Sequence, residues 1–151
     1  MKKVYQTRFG GSDSPRAEQG NCFQACIATI FGLQLEDAFD CLICDEGHWF
    51  DEFQRWLKPY GLACVYVSHG GYCGDAGIFI QDRKSTTLKN PDDGHVVLAW
   101  MEDGHVIVVH DPNPNARELG EVKGAFMFVP ISKEKFVGRR DWTPLIDGTS
   151  G

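Results

Sequence analysis

The stretch Gly94-His95-Val96-Val97-Leu98-Ala99-Trp100-Met101-Glu102-Asp103-Gly104-His105-Val106-Ile107-Val108-Val109-His110-Asp111-Pro112 decides how this chain is read. Two runs rich in β-branched and aromatic residues, His95 to Met101 and Val106 to Asp111, flank an Asp-Gly pair, and Asp-Gly between such runs is a strong hairpin signal. An antiparallel hairpin turning near Asp103-Gly104 brings His95, at the start of one strand, beside Asp111, at the end of the other. In this reading His105 belongs to the bend, and His110 alternates away from Asp111 to the opposite sheet face.

Similar runs lie on both sides: Leu62 to Val67 and Gly77 to Ile80 upstream and Ala125 to Val129 downstream, separated by Gly, Asp, Asn and Pro. Further upstream the apolar period becomes helical. His48 to Tyr60 carries Trp49, Phe50, Phe53, Trp56 and Leu57 before Pro59 and Gly61 close it, and this stripe reads as core rather than as a ligand cage. Leu35 to Leu42 makes a second short helix or turn. From Asn21 to Gly32 the spacing places Phe23, Ile27, Ile30 and Phe31 on one face, with Asn21 as N-cap and Gly32 as the stop. Phe9 to Gly20 is a surface loop, preceded by a short extended start, Val4 to Arg8.

Helices first and strands second argue for an α+β domain, an N-terminal helix laid on an antiparallel sheet, over residues 1–132. Residues 133–151 form a polar C-terminal extension. A length of 151 residues suits one hydrophobic core, and 42% hydrophobic with 24% charged residues excludes wholesale disorder. Fifteen Lys and Arg against twenty-one Asp and Glu give a net charge of -6, which disfavours general nucleic-acid or anionic-membrane binding. There is no apolar run of roughly eighteen residues to span a bilayer. Nor does an apolar stretch suited to a signal peptide follow Lys2-Lys3, so a cytoplasmic location is expected, with the six cysteines as thiols.

One thiol stands out. The first turn of a helix offers unpaired backbone N–H groups and the positive end of the macrodipole, which stabilise a thiolate, and Cys22 follows the cap Asn21 there. A nucleophilic thiol needs a base held in orientation by a third group. His95 and Asp111, gathered by the hairpin, fill those roles in the order Cys, His, Asp. Cys26, one turn further on the same face, reads as core.

These residues resemble a known pattern. Asn21-Cys22-Phe23-Gln24-Ala25-Cys26, Gly94-His95-Val96-Val97 and Asp111-Pro112 are similar to the papain-like cysteine peptidases, particularly their small bacterial and phage C39-like branch, over residues 4–115. The resemblance implies a papain-like fold and a thiol hydrolase acting on an amide, peptide or isopeptide bond through a thioester, with no metal or organic cofactor. It also implies a glutamine donor to the oxyanion. Arg16 stands six residues before Cys22, where the family places that glutamine, so Gln6 of Gln6-Thr7 takes the role across an insertion, with Gln19 as the competing donor. The partners implied are a peptide, protein or small amide-containing substrate, selected by the loops Gly10 to Gln19, Ser68 to Ala76 and Ser85 to Asp93.

Two other readings use the same residues. A non-catalytic module could keep the fold and use the cleft to sequester a host protein or metabolite, as a phage-encoded inhibitor would. Cys41-Leu42-Ile43-Cys44 with His48 resembles half of a zinc site that Cys64 or Cys73 could complete. Gly70, Gly71 and Gly74 suggest a mobile loop rather than a phosphate cradle, because no Lys-Ser/Thr follows.

Overall fold

The computed structural model describes residues 1–44, 47–68, 77–90, 92–115 and 118–131. The expected glycine loop around residues 69–76, Cys73 and the C-terminal extension 133–151 lie outside the described residues. In chain order the regular elements are α1 (Cys22–Phe31), α2 (Trp49–Leu57), β1 (Leu62–Ser68), β2 (Phe79–Lys84), β3 (Gly94–Glu102), β4 (His105–His110) and β5 (Val122–Pro130). The fold is α+β: two helices on a five-stranded antiparallel sheet of order β1-β5-β2-β3-β4. Among the described residues no helix is long and apolar enough to cross a membrane.

The β3–β4 hairpin turns on two residues, Asp103 at φ 50° and Gly104 at φ 79°. Both are left-handed, as the tightest hairpin turn requires. His105 is not in the bend: it opens β4 opposite Glu102. The pairing runs regularly to Ala99↔Val108 and then shifts, so that Leu98 faces His110. Val109 is the extra residue of a β-bulge, which bends and twists the ladder.

β2 is displaced from the expected Gly77 to Ile80. Gly77 has φ 68°, incompatible with an extended strand, while the polar Gln81 to Lys84 pair with β3 on one side and, through Arg83, with β5 on the other. Two neighbouring ladders hold a polar segment extended where side-chain patterning alone would not. Likewise Leu35 to Leu42 resolves into two single 3-10 turns, Leu35–Asp37 and Cys41–Ile43.

The core lies between α1, α2 and one sheet face, with Ile27, Ile30, Phe53, Leu57, Ile80 and Leu98 within 1% of full burial. Phe23 meets Trp49, Phe53 and Phe126 edge-on at centroid distances of 5.5, 5.1 and 5.2 Å, the arrangement that aromatic quadrupoles favour. Phe79, Ala99, Ala125 and Met127 form a smaller cluster of their own. α1 stops at Gly32, whose φ of 66° suits a residue without Cβ.

Candidate active site

The start of α1 is fixed by its neighbours rather than by its own cap. Asn21 occupies the cap position, but its side chain makes no capping bond. Oδ1 instead accepts the backbone N–H groups of Thr7 and Arg8, both at 2.9 Å, and Nδ2 donates to Thr7 Oγ1 and Gln24 Oε1. The expected N-cap is therefore a clamp on the N-terminal segment, because that segment offers two unpaired N–H donors at once. Gln24 extends the clamp by donating to the carbonyls of Leu35 and Ala38, and Arg8 closes it with a 2.7 Å ion pair to Asp40.

The same N-terminal segment is stitched to the sheet. Val4 N–H donates to Thr29 Oγ1 of α1, His110 Nε2 donates to the Val4 carbonyl at 2.7 Å, and Gln6 N–H donates to the Pro112 carbonyl at 2.9 Å. Residues 4–8 thus bridge the start of α1 and the end of β4, where Cys22 and Asp111 stand.

His95, at the start of β3, and Asp111, just past β4, meet with Nε2 2.7 Å from Oδ1. The bulge makes this possible. An unbroken register would continue past Ala99↔Val108 to set Asp111 opposite Val96, on the face away from His95; the extra Val109 carries it to the level of Val97, which alternates onto the same face as His95. Asp111 Oδ1 also accepts the Asn113 N–H at 2.9 Å, which fixes the carboxylate. With Nε2 committed to Asp111, Nδ1 is the ring nitrogen left for Cys22, which lines the same cleft.

Burial pushes the His95 imidazolium down, but the hydrogen bonds and charges of Asp111 and Cys22 outweigh it and raise the pKa to about 9. Burial raises the Asp111 carboxyl, yet His95 and the Asn113 N–H hold it below its ordinary value. At neutral pH the pair is an imidazolium on a carboxylate. Burial pushes three other thiols away from ionisation: Cys41 and Cys64 to about 12, and Cys26, fully enclosed, well above its ordinary value.

A cleft of about 190 Å³ opens over Cys22 and His95. Gln6 and Gln19 both line it. Gln6 is buried, and its Nε2 donates to the Arg8 carbonyl at 3.0 Å while facing Gly20, where a Cβ would lie 3.8 Å away. Gln19 is half-buried and donates to the Ser14 carbonyl at 3.0 Å. The structure therefore brings Cys22, His95, Asp111 and Gln6 into one neighbourhood. His110 is tied to Val4, and burial lowers its pKa. Among the described residues no three His, Cys, Asp or Glu side chains are grouped to hold a metal ion.

Sequence reasoning named Asp93 only as the end of the substrate-selecting loop Ser85 to Asp93, and missed Asn113, Arg8 and Gln24 as parts of this neighbourhood. Asp-Pro-Asn carried a signal for Asn113, since Asp readily accepts from the N–H two residues on. No known family model, curated protein or solved structure matches the chain.

Proposed function

We propose that the chain is a papain-like thiol hydrolase acting on an amide, peptide or isopeptide bond. The observation that carries this reading is the placement of His95, hydrogen-bonded to Asp111 at 2.7 Å, in the same cleft as Cys22.

In the proposed reaction His95 already holds the proton of the Cys22 thiol, and the sulfur attacks the substrate carbonyl carbon. Asp111 stabilises the imidazolium and holds its ring in place. Negative charge gathers on the carbonyl oxygen, which the Cys22 backbone N–H and a Gln6 amide hydrogen would receive. A single preorganised donor of this type contributes on the order of 3 kcal/mol to lowering such a barrier. His95 then protonates the leaving amine as the carbon–nitrogen bond breaks, leaving a thioester. Water, deprotonated by His95, attacks the thioester, and the acid departs with the thiol restored. An amine in place of water would make the same site a transferase.

A reactive aryl ester tests this directly. Mixed with the protein, p-nitrophenyl acetate should give a burst of nitrophenolate and an acetyl group on Cys22 by peptide mass spectrometry, followed by slow turnover; neither should occur in Cys22→Ala. Absence of acetyl-Cys22 in the wild type would count against the enzyme and favour a binding module. That second reading draws on Gln6, whose carboxamide is turned toward the Arg8 carbonyl rather than held solely for an oxyanion.

A further inference from the structure

Asp93 precedes β3 by one residue, and its carbonyl accepts the Ser85 N–H at 3.0 Å, so the β2–β3 ladder continues through it. In extended chain, residues two apart point to the same side, about 7 Å from each other. Asp93 and His95 follow that rule: both line the cleft over Cys22.

Among the described residues three ionisable side chains line the cleft: Cys22, His95 and Asp93. Of these, His95 is paired with Asp111 at 2.7 Å. Asp93 has no cationic partner among the described residues. Its two oxygens share one neutral donor, the Ser12 N–H, at 3.3 and 3.2 Å, and a side chain at Gly11 would lie 2.6 Å from Oδ2. The carboxylate thus keeps an uncompensated negative charge at the mouth of the site. Phe9, 46% exposed, and Leu42 also line the cleft.

We infer that Asp93 is a specificity-determining residue that selects substrates carrying an amine or guanidinium about two residues' length from the scissile carbonyl. The inference rests on the proposed hydrolase reading and deepens it. Asp93 receives the cation, and Phe9 and Leu42 take the aliphatic stem that carries it.

Methanethiosulfonates that differ only in charge read this charge without a known substrate. Trimethylammonium-ethyl, ethyl and sulfonatoethyl reagents are reacted with the full chain, the rate at Cys22 is followed by peptide mass spectrometry, and each rate is divided by that reagent's rate with a small free thiol. The cationic-to-neutral ratio should be about three- to fivefold, the range that a partly solvated charge pair supports, with the anionic reagent disfavoured. Asp93→Asn keeps an acceptor for the Ser12 N–H and should bring the ratio near one. Asp92→Asn removes the same charge outside the cleft and should leave the ratio high. In the wild type, 1 M salt, with a Debye length of about 3 Å, should flatten it.

A ratio near one in the wild type, a ratio unchanged in Asp93→Asn, or an equal loss in Asp92→Asn overturns the inference. The two readings separate cleanly. A flat ratio with fast Cys22 labelling removes the cation subsite alone, whereas a preserved ratio with sluggish Cys22 removes the hydrolase alone.

Discussion

His95 and Asp111, sixteen residues apart in sequence, stand 2.7 Å apart because a bulge at Val109 shifts the β3–β4 register by one residue. A tight hairpin alone would have brought their backbones together and pointed the two side chains to opposite faces. The bulge converts proximity into a hydrogen bond.

Asp111→Asn should keep the fold and lower acyl transfer by about 10²–10⁴-fold, because the amide no longer stabilises an imidazolium. The His95 pKa should fall from about 9 toward an ordinary histidine value. An NMR titration of the His95 ring checks the second effect apart from the first, and an unchanged titration would contradict the role given to Asp111.

The pH dependence of stability has a definite sign. His95 is raised from 6.5 unfolded to about 9 folded, so its contribution is fully present below 6.5 and is lost as pH rises through about 9. Asp111 is lowered, so its contribution is present above its unfolded pKa and is lost as pH falls through the folded one. Urea midpoints of the wild type and His95→Asn should therefore converge between pH 6.5 and about 9. A gap that stays constant over that range would contradict this linkage.

Asn21→Ala strips the acceptor from two backbone N–H groups and should cost about 2–3 kcal/mol in urea unfolding. Asn21→Asp keeps both of those bonds and should cost less. Loss of Cys22 reactivity should accompany the alanine variant, since the clamp positions the start of α1.

Phe53, fully buried beneath Phe23, Phe39 and Phe128, should cost about 3–5 kcal/mol when changed to alanine. Thermal or denaturant unfolding measures it directly.

The long periodic elements were legible in sequence. α1 and α2 begin and end within a few residues of the apolar pattern, and Asp103-Gly104 marked the hairpin by its backbone demands. What patterning could not show was set by tertiary hydrogen bonding. The polar end of β2 is held by strands on both sides, β5 inserts between β1 and β2, and the bulge leaves no mark in Val106 to His110. The candidate site was legible as residue types in order, Cys22, His95, Asp111. Its supports were not: Asn21 looked like a cap because caps and clamps use the same side chain, and Asp93 looked like a loop residue until the cleft lay over it.

The most direct test is the alkylation rate of Cys22 by iodoacetamide at neutral pH, in the wild type and in His95→Ala, with every cysteine followed by peptide mass spectrometry. The account predicts that Cys22 reacts far faster than Cys26, Cys41 and Cys64, and that His95→Ala removes most of that advantage. A Cys22 that reacts no faster than the buried thiols, or equally fast without His95, would contradict it.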